Sequence, residues 1–306
     1  MPFIMQRLFR SIPQLMLAIF AASLFLVIAC SGGDPPPSPT STPEELDGLI
    51  VFAAASDLTP GENRVQFVVK TLNGGTLTDS ADRLDVTYSI SDGDPISATD
   101  VTWHAWPVRG GAYTAHLSFE SEGLWQLRVR DRSNPDLIDG VAALIVNATS
   151  ATPSIGSPPP STPSKTGTTT AELALITSDL DPDPEFYAIS FNEAVSSGKP
   201  TVVVFSTPAY CQSATCGPQL DAAADVRDQH PGLAHFIHVE LFDNPAEMRA
   251  DGDASLGIES PVVEPWGLPS EPWTFVIDRE GLVSARFEAF TTADEIEAAV
   301  LIAAGS

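Results

Sequence analysis

The sequence predicts a chain of two folded domains, an all-β sandwich followed by an α/β domain, and three observations predict it. Two stretches, SGGDPPPSPTSTP at 31–43 and TSATPSIGSPPPSTPSKTGTTT at 149–170, are too rich in Pro, Ser and Thr to bury a core and read as linkers. Between them apolar and polar residues alternate with period two. After Asp183 the pattern changes to helix and strand in turn. A length of 306 residues accommodates two such units.

In the first unit Leu84, Val86, Tyr88 and Ile90 are interleaved with Asp85, Thr87 and Ser89, and Trp125, Leu127 and Val129 with Gln126, Arg128 and Arg130. Such alternation marks half-buried strands. Similar runs at 49–54, 65–71, 98–106, 113–119 and 141–146 bring the expected number to seven, with turn formers at Asn73-Gly74-Gly75 and Arg109-Gly110-Gly111 between them. That spacing predicts a sandwich over 47–148. The stretch Glu122-Gly123-Leu124-Trp125-Gln126-Leu127 resembles a late strand of the immunoglobulin-like domains of bacterial surface proteins, a resemblance that implies architecture and no chemistry. His104 and His116 fall on strands joined by the turn near Gly110, which raises a copper site. Extracytoplasmic copper carriers of this architecture lean on methionine, a soft ligand, and here Met248 lies alone outside the signal region. A spacer or docking role is the expectation, with no metal.

The N-terminus opens MPFIMQRLFR, with Arg7 and Arg10 as its only charges, and runs apolar from Leu15 to Ala29. That is a signal peptide pattern, shorter than the roughly 20 residues a membrane-spanning helix needs. Val27-Ile28-Ala29-Cys30 resembles a bacterial lipobox, which implies a signal at 1–30, lipid attachment at Cys30, and a protein anchored to the membrane on its extracytoplasmic side. Proline-rich chain extends about 3 Å per residue, so the linker at 31–46 would lift a domain on the order of 40 Å above the lipid. The formal charge of −25, from 40 acidic and 15 basic residues, repels nucleic acid and anionic headgroups. Nucleic acid is therefore excluded as a partner.

In the second unit, PEFYAISFNEAVSSG reads as a helix ending near Gly198, TVVVF as a buried strand, and Gly217 to His230 as a helix. HFIHVELF follows as a strand, then a short helix at Pro245 to Arg249, two strands in WTFVID and VSARFEAF, and a final helix opening at Thr291-Thr292-Ala293-Asp294. This order resembles a thioredoxin fold. Gly198-Lys199-Pro200 before TVVVF and the cysteines looks like the entry to the thioredoxin active site, and Trp266 to Phe275 looks like the segment around its cis-proline. Glu240 to Pro245 is similar to the strand end and turn between them. The resemblance covers 183–304 within a domain at 172–306, beyond a linker at 149–171. It implies that Pro272 is the cis-proline beside the active cysteines. Tyr210 and Trp273 are read as flanking them, either as an apolar docking surface for a partner chain or, equally, as core packing.

The residues 205–221, FSTPAYCQSATCGPQLD, hold Cys211 and Cys216, the pair that remains once Cys30 is committed to lipid. Outside the cytosol such a pair persists as a disulfide. Two helical residues five apart lie about 8.6 Å from each other, beyond the approximately 7 Å that a disulfide spans. Thr207-Pro208 and Gly217-Pro218 therefore frame Cys211 in a loop and start the helix near Cys216, since proline is tolerated in a first turn and not far inside. The helix N-terminus would lower the pKa of the thiol that faces it. Cys211, first after the strand, is read as the exposed nucleophile and Cys216 as the resolving partner.

The sequence departs from the thioredoxin pattern in two respects. The strand position that often carries a buried acid is Val204, and the spacing is C-x4-C. One subgroup of peroxiredoxins uses cysteines five apart, but its threonine three before the nucleophile is here Pro208, with Thr207 one further back. A copper-delivery reading would draw on His235 or His238, which face opposite sides of one strand and cannot chelate together. A non-enzymatic surface or scaffold lipoprotein, with the bridge as a staple, is the third alternative. The sequence is read as a membrane-anchored extracytoplasmic thiol-disulfide oxidoreductase without cofactor, exchanging disulfides with other extracytoplasmic proteins.

Overall fold

The computed structural model describes residues 47–78, 81–91, 93–106 and 110–305. The signal peptide, Cys30 and the linker at 31–46 lie outside the described residues. Among those described, no helix is long and apolar enough to cross a membrane.

The first half is built from β1 (Leu49–Ala54), β2 (Gly61–Thr71), β3 (Leu84–Ile90), β4 (Ile96–Ser97), β5 (Thr102–Trp106), β6 (Gly110–Phe119), β7 (Gly123–Asp131) and β8 (Gly140–Val146). The expected run at 98–106 narrows to β5, and the two-residue β4 lies just before it and belongs to the other sheet. One sheet has the order β1-β2-β6-β5 and the other β4-β3-β7-β8, all pairings antiparallel. Every second residue of β7 and β8 is buried, as the alternation requires. Trp125 fills the centre between the sheets, with its ring 5.1 Å from Phe119 and 5.9 Å from Tyr88. Its indole N–H donates to the Ser121 carbonyl, which satisfies the one polar atom that the ring buries.

The second half carries α1 (Thr170–Ile176), α2 (Phe191–Ser196), β9 (Thr201–Ser206), α3 (Cys216–Gln229), β10 (His235–Glu240), α4 (Pro245–Asp251), β11 (Trp273–Ile277), β12 (Val283–Glu288) and α5 (Ala293–Ala303). Its sheet has the order β10-β9-β11-β12, with β10 and β9 parallel and the other pairs antiparallel. This strand order agrees with the thioredoxin-like expectation. All six residues of β9 are buried. Val202 and Val204 face a layer containing Leu220, Val226, Ile296 and Val300 from α3 and α5, while Val203 and Phe205 face Phe191, Trp266 and Phe275. A strand covered on both faces reads as a continuous apolar run, as TVVVF does.

Two elements differ from expectation. PEFYAISFNEAVSSG is a 3-10 turn at Pro184–Tyr187 followed by α2, because Ser190 leaves the helical path, donates its amide and hydroxyl to the Glu193 carboxylate and restarts the chain. Helix α1 begins inside the stretch expected as linker. Its start is written in Thr169-Thr170-Ala171-Glu172, where Thr169 and Glu172 complete a capping box.

The rest of that stretch differs too, since it is a strap fixed along the second domain instead of a free spacer. Its Gly156 N–H donates to the Val283 carbonyl and Val283 N–H to the Ser157 carbonyl. Buried Ser164 accepts the Phe191 amide, and Lys165 pairs with Asp243. Gly267, at φ +61°, passes so close to the strap that a side-chain carbon there would meet the Ala151 carbonyl at 2.5 Å. The backbone polar groups that proline-rich chain leaves free thus find partners on the adjoining sheet and loops.

The described residues fall in one compact unit, and charged groups join its two halves. Asp57, within the β1–β2 connection, is 4% exposed. It accepts from Ser150, Ala151 and Thr152 of the strap and pairs with Arg286 of β12 at 2.8 Å. Burial pushes its carboxyl upward, but the hydrogen bonds from Ser150, Ala151 and Thr152 outweigh that and hold it below the ordinary carboxylate value. Arg64 of β2 pairs with Glu295 of α5 at 2.7 Å, and Trp106 of β5 meets Phe290 edge to face. Removing one partner of a buried pair leaves the other charge uncompensated. Arg286→Ala is therefore expected to cost about 3–5 kcal/mol, seen as a lower unfolding midpoint and new protease cleavage within 150–169. Because the Asp57 carboxyl is depressed in the folded state, its contribution is complete above about pH 3.9 and is lost as pH falls through the folded value. Acid titration of the cleavage pattern checks this second expectation.

Candidate redox site

Strand β9 delivers the chain to the edge of the sheet, where a loop from Thr207 to Thr215 leads into α3. Both ends of the loop are buried at 1% exposure, and its middle is open. Tyr210 N–H donates to the Thr207 carbonyl, and Ser178 bridges Thr207 Oγ1 and the Ala209 amide from beneath. Ala214 closes the loop from the left-handed region, at φ +60°. Cys211 is half-buried in this loop, and Cys216 is the fully buried first residue of α3. Pro218 sits in the first turn, where its missing N–H breaks no helical bond.

The two cysteines form a disulfide with a Cα–Cα separation of 6.0 Å. One residue in the loop and one in the helix satisfies the distance that two helical residues would exceed. The Cys216 amide, among the free N–H groups at the start of α3, donates to Cys211 Sγ at 3.3 Å, and Ser213 Oγ lies 3.2 Å from the same sulfur. These donors point at the half-buried member of the pair, so they stabilise a negative sulfur at Cys211 when the bridge is opened.

Pro272 is buried, and the Glu271–Pro272 peptide bond is cis. The residue that sequence reasoning missed is its predecessor. A carboxylate oxygen of Glu271 and the sulfurs of Cys211 and Cys216 all lie within 4.8 Å of one another. Placing Pro272 beside the cysteines already implied that residue 271 would reach them, and this was the available signal. Burial pushes the Glu271 carboxyl above its ordinary value, the Gln212 backbone N–H draws it down, and the charge of Glu240 adds to the rise. Gln212, Ser213, Leu241, Leu268 and Glu271 line an open depression on this side of the loop. With the sulfurs bonded to each other, the three-residue group is a disulfide beside an acid and not a set of metal ligands, since thiolates are what metals bind.

Other candidates are placed differently. Trp273 is 2% exposed, stacks on Phe275 and donates to Ser270 Oγ, so of its two readings core packing is the one that holds. Tyr210 is half-buried directly before Cys211. His235 pairs in register with Thr201, at the end of β9 remote from the cysteines, and contacts Ser197 Oγ. His238 is buried, and burial lowers its pKa. Its Nε2 reaches the Ser206 carbonyl at 3.1 Å and must carry the proton, which leaves Nδ1 to accept from the Tyr187 hydroxyl at 2.6 Å. Both nitrogens are thus engaged within the core. In the sandwich His104 is hydrogen-bonded to Thr114, while His116 lies opposite Arg64 on another strand, so the two histidines do not converge. Val204 stands in the apolar layer, as read from sequence. The neighbouring strand β10 instead ends on buried Glu240, whose Oε2 accepts the Ser178 amide and whose Oε1 has no partner among the described residues.

No protein-family model and no curated protein matches the sequence. Solved structures similar to parts of the chain include thioredoxin-family proteins and a filamin domain. The thioredoxin-family thiol:disulfide interchange protein of Chlorobium tepidum TLS is 18% identical, over 50% of this chain and 100% of that one, at a TM-score of 0.32. StoA of Bacillus subtilis is 16% identical, over 40% and 93%, at 0.29. The Lin-41 filamin domain is 10% identical, over 34% and 93%, at 0.22.

After reduction, Cys211 is expected to be alkylated at least about tenfold faster than buried Cys216. Peptide mass mapping of the alkylated sites measures the ratio, and equal rates would mean that the first turn of α3 opens when the bridge is broken.

Proposed function

We propose that this chain is a membrane-anchored extracytoplasmic thiol-disulfide oxidoreductase. The observation that carries the reading is the asymmetry of the disulfide. Cys211 is half-buried in the loop and its sulfur faces amide and hydroxyl donors, whereas Cys216 is fully buried at the helix start. In the proposed reaction the Cys211 thiolate attacks a partner disulfide and forms a mixed disulfide. Cys216 then attacks Cys211 and releases the partner as a dithiol; run in reverse, the same steps oxidise a partner. A staple reading is less well supported, because a bridge closing so few residues removes little entropy from the unfolded chain. The peroxidase reading gains no residue, since Thr207 is buried and hydrogen-bonded to Ser178.

Redox titration of the protein against glutathione is expected to place the pair between about −120 and −270 mV. In the reduced Cys216→Ser variant, a disulfide-containing test protein should stay attached through Cys211. A potential below about −300 mV, with nothing retained on Cys211, would make the bridge structural. Anchoring through Cys30 predicts that Cys30→Ala moves the protein from the membrane fraction to the soluble one, whereas an unchanged distribution would remove the lipid from this reading.

A further inference from the structure

Thiol exchange needs somewhere for a proton to go. A thiol has an ordinary pKa near 8.5, so a buried Cys216 must give up its proton before it can attack. Strand β9 offers no acid for this, because Val204 and its neighbours are apolar and fully covered. Among the described residues, the group that unites both sulfurs with a carboxylate contains Glu271.

We propose that Glu271 is the proton carrier of the Cys211–Cys216 couple. The proposal rests on the exchange reading above and adds a catalytic residue to it. Three features of the site support it. The carboxylate lies within 4.8 Å of both sulfurs, so it reaches the resolving and the attacking atom from one position. It is half-buried on the wall of an open depression, so a proton taken from the interior has a route to water. Finally, the loop between the cysteines holds it through the Gln212 amide, which ties its position to the loop whose sulfur reacts.

The charged and titratable groups facing it are the two cysteines and Glu240 at the end of β10, whose negative charge favours the protonated form. A carboxyl raised toward the working pH serves better as acid and base in turn than one at its ordinary value.

In the resolving step, the Cys216 thiol passes its proton to the Glu271 carboxylate. The new thiolate attacks Cys211 Sγ, the 211–216 bond forms as the bond from Cys211 to the partner breaks, and the departing sulfur takes the proton from Glu271. Two electrons pass from the protein dithiol to the partner disulfide, and Glu271 ends as it began.

The test mixes the reduced protein with oxidised glutathione and follows release of the second glutathione by mass after acid quench, across a pH series. Glu271→Gln is expected to slow resolution about 100-fold near neutral pH, accumulate the glutathione mixed disulfide and flatten the pH profile. Glu271→Asp should restore a pH-dependent rate in part. Identical profiles for the wild-type protein and Glu271→Gln would overturn the proposal. So would equal slowing by Gln and Asp with the pH dependence retained, since that pattern marks a packing defect. Ultraviolet absorbance of the thiolates in the reduced protein supplies a second readout that needs no partner. The wild-type titration should carry an inflection from Glu271 that Glu271→Gln lacks, and superimposable curves would overturn the proposal. If wild-type protein fails to react with glutathione, the exchange reading falls, while the thiolate titration still decides whether Glu271 shares its proton with the sulfurs.

Discussion

Burial of β9 on both faces is the constraint from which the second domain follows. A strand with no solvent face must pair on both edges and be covered on both sides, so it takes a central position between β10 and β11 with α3 and α5 above it. The chain can turn polar only where the strand ends. That edge is where the loop, the disulfide and the start of α3 meet, and where the cis peptide before Pro272 brings in the neighbouring strand. Cys211 is half-buried at this open end, whereas the strand that leads to it is fully covered. Reciprocal hydrogen bonds between Gln219 of α3 and Thr291 before α5 hold the covering helices in step with the sheet.

Polar groups beneath the loop are arranged in two layers. Tyr187, His238 and Ser206 form a hydrogen-bonded chain, in which the tyrosine hydroxyl donates to Nδ1 and the Nε2 hydrogen is donated to Ser206, with the histidine neutral. Burial of the tyrosine raises its pKa, which keeps that group neutral as well. Glu240 with Ser178, Thr207 and the Ala209 amide forms the other layer, directly under the cysteine loop. The first layer fixes the end of β9. The second places a negative charge close enough to act on Glu271. Electrostatics at the disulfide therefore oppose each other, with α3 amides drawing negative charge toward Cys211 and two carboxyl groups resisting it nearby.

Much of this was legible in the sequence for identifiable reasons. Period-two alternation in β3, β7 and β8 and the unbroken apolar run of β9 come directly from which faces are covered. The helix start at Cys216 followed from the disulfide distance and Pro218, and the cis bond at Pro272 from the resemblance to thioredoxins. Trp273 had two readings because an aromatic beside a proline can point to either face of its strand, and the sheet behind it claims the ring. The strap was misread because composition measures the capacity to build a core, not the capacity to lie on one already built. Ser150, Thr152 and Ser164 carry no local pattern that reveals their partners, since Asp57 and Phe191 are distant in sequence. Glu271 was missed because attention went to the strand position that Val204 occupies, while the carboxylate approaches from another strand.

The strap has one more effect. Strand β12 is the last in its sheet, and an outer strand displays a row of unpaired amides and carbonyls that can recruit a strand from another molecule. Here Gly156 and Ser157 take the two backbone groups of Val283, and the side chains from Arg286 to Glu288 are engaged by the strap and the sandwich. Proline-rich chain suits this task, because it can close an edge without presenting a new edge of its own. The segment that composition marks as a tether thus closes the β12 edge of this sheet at Val283.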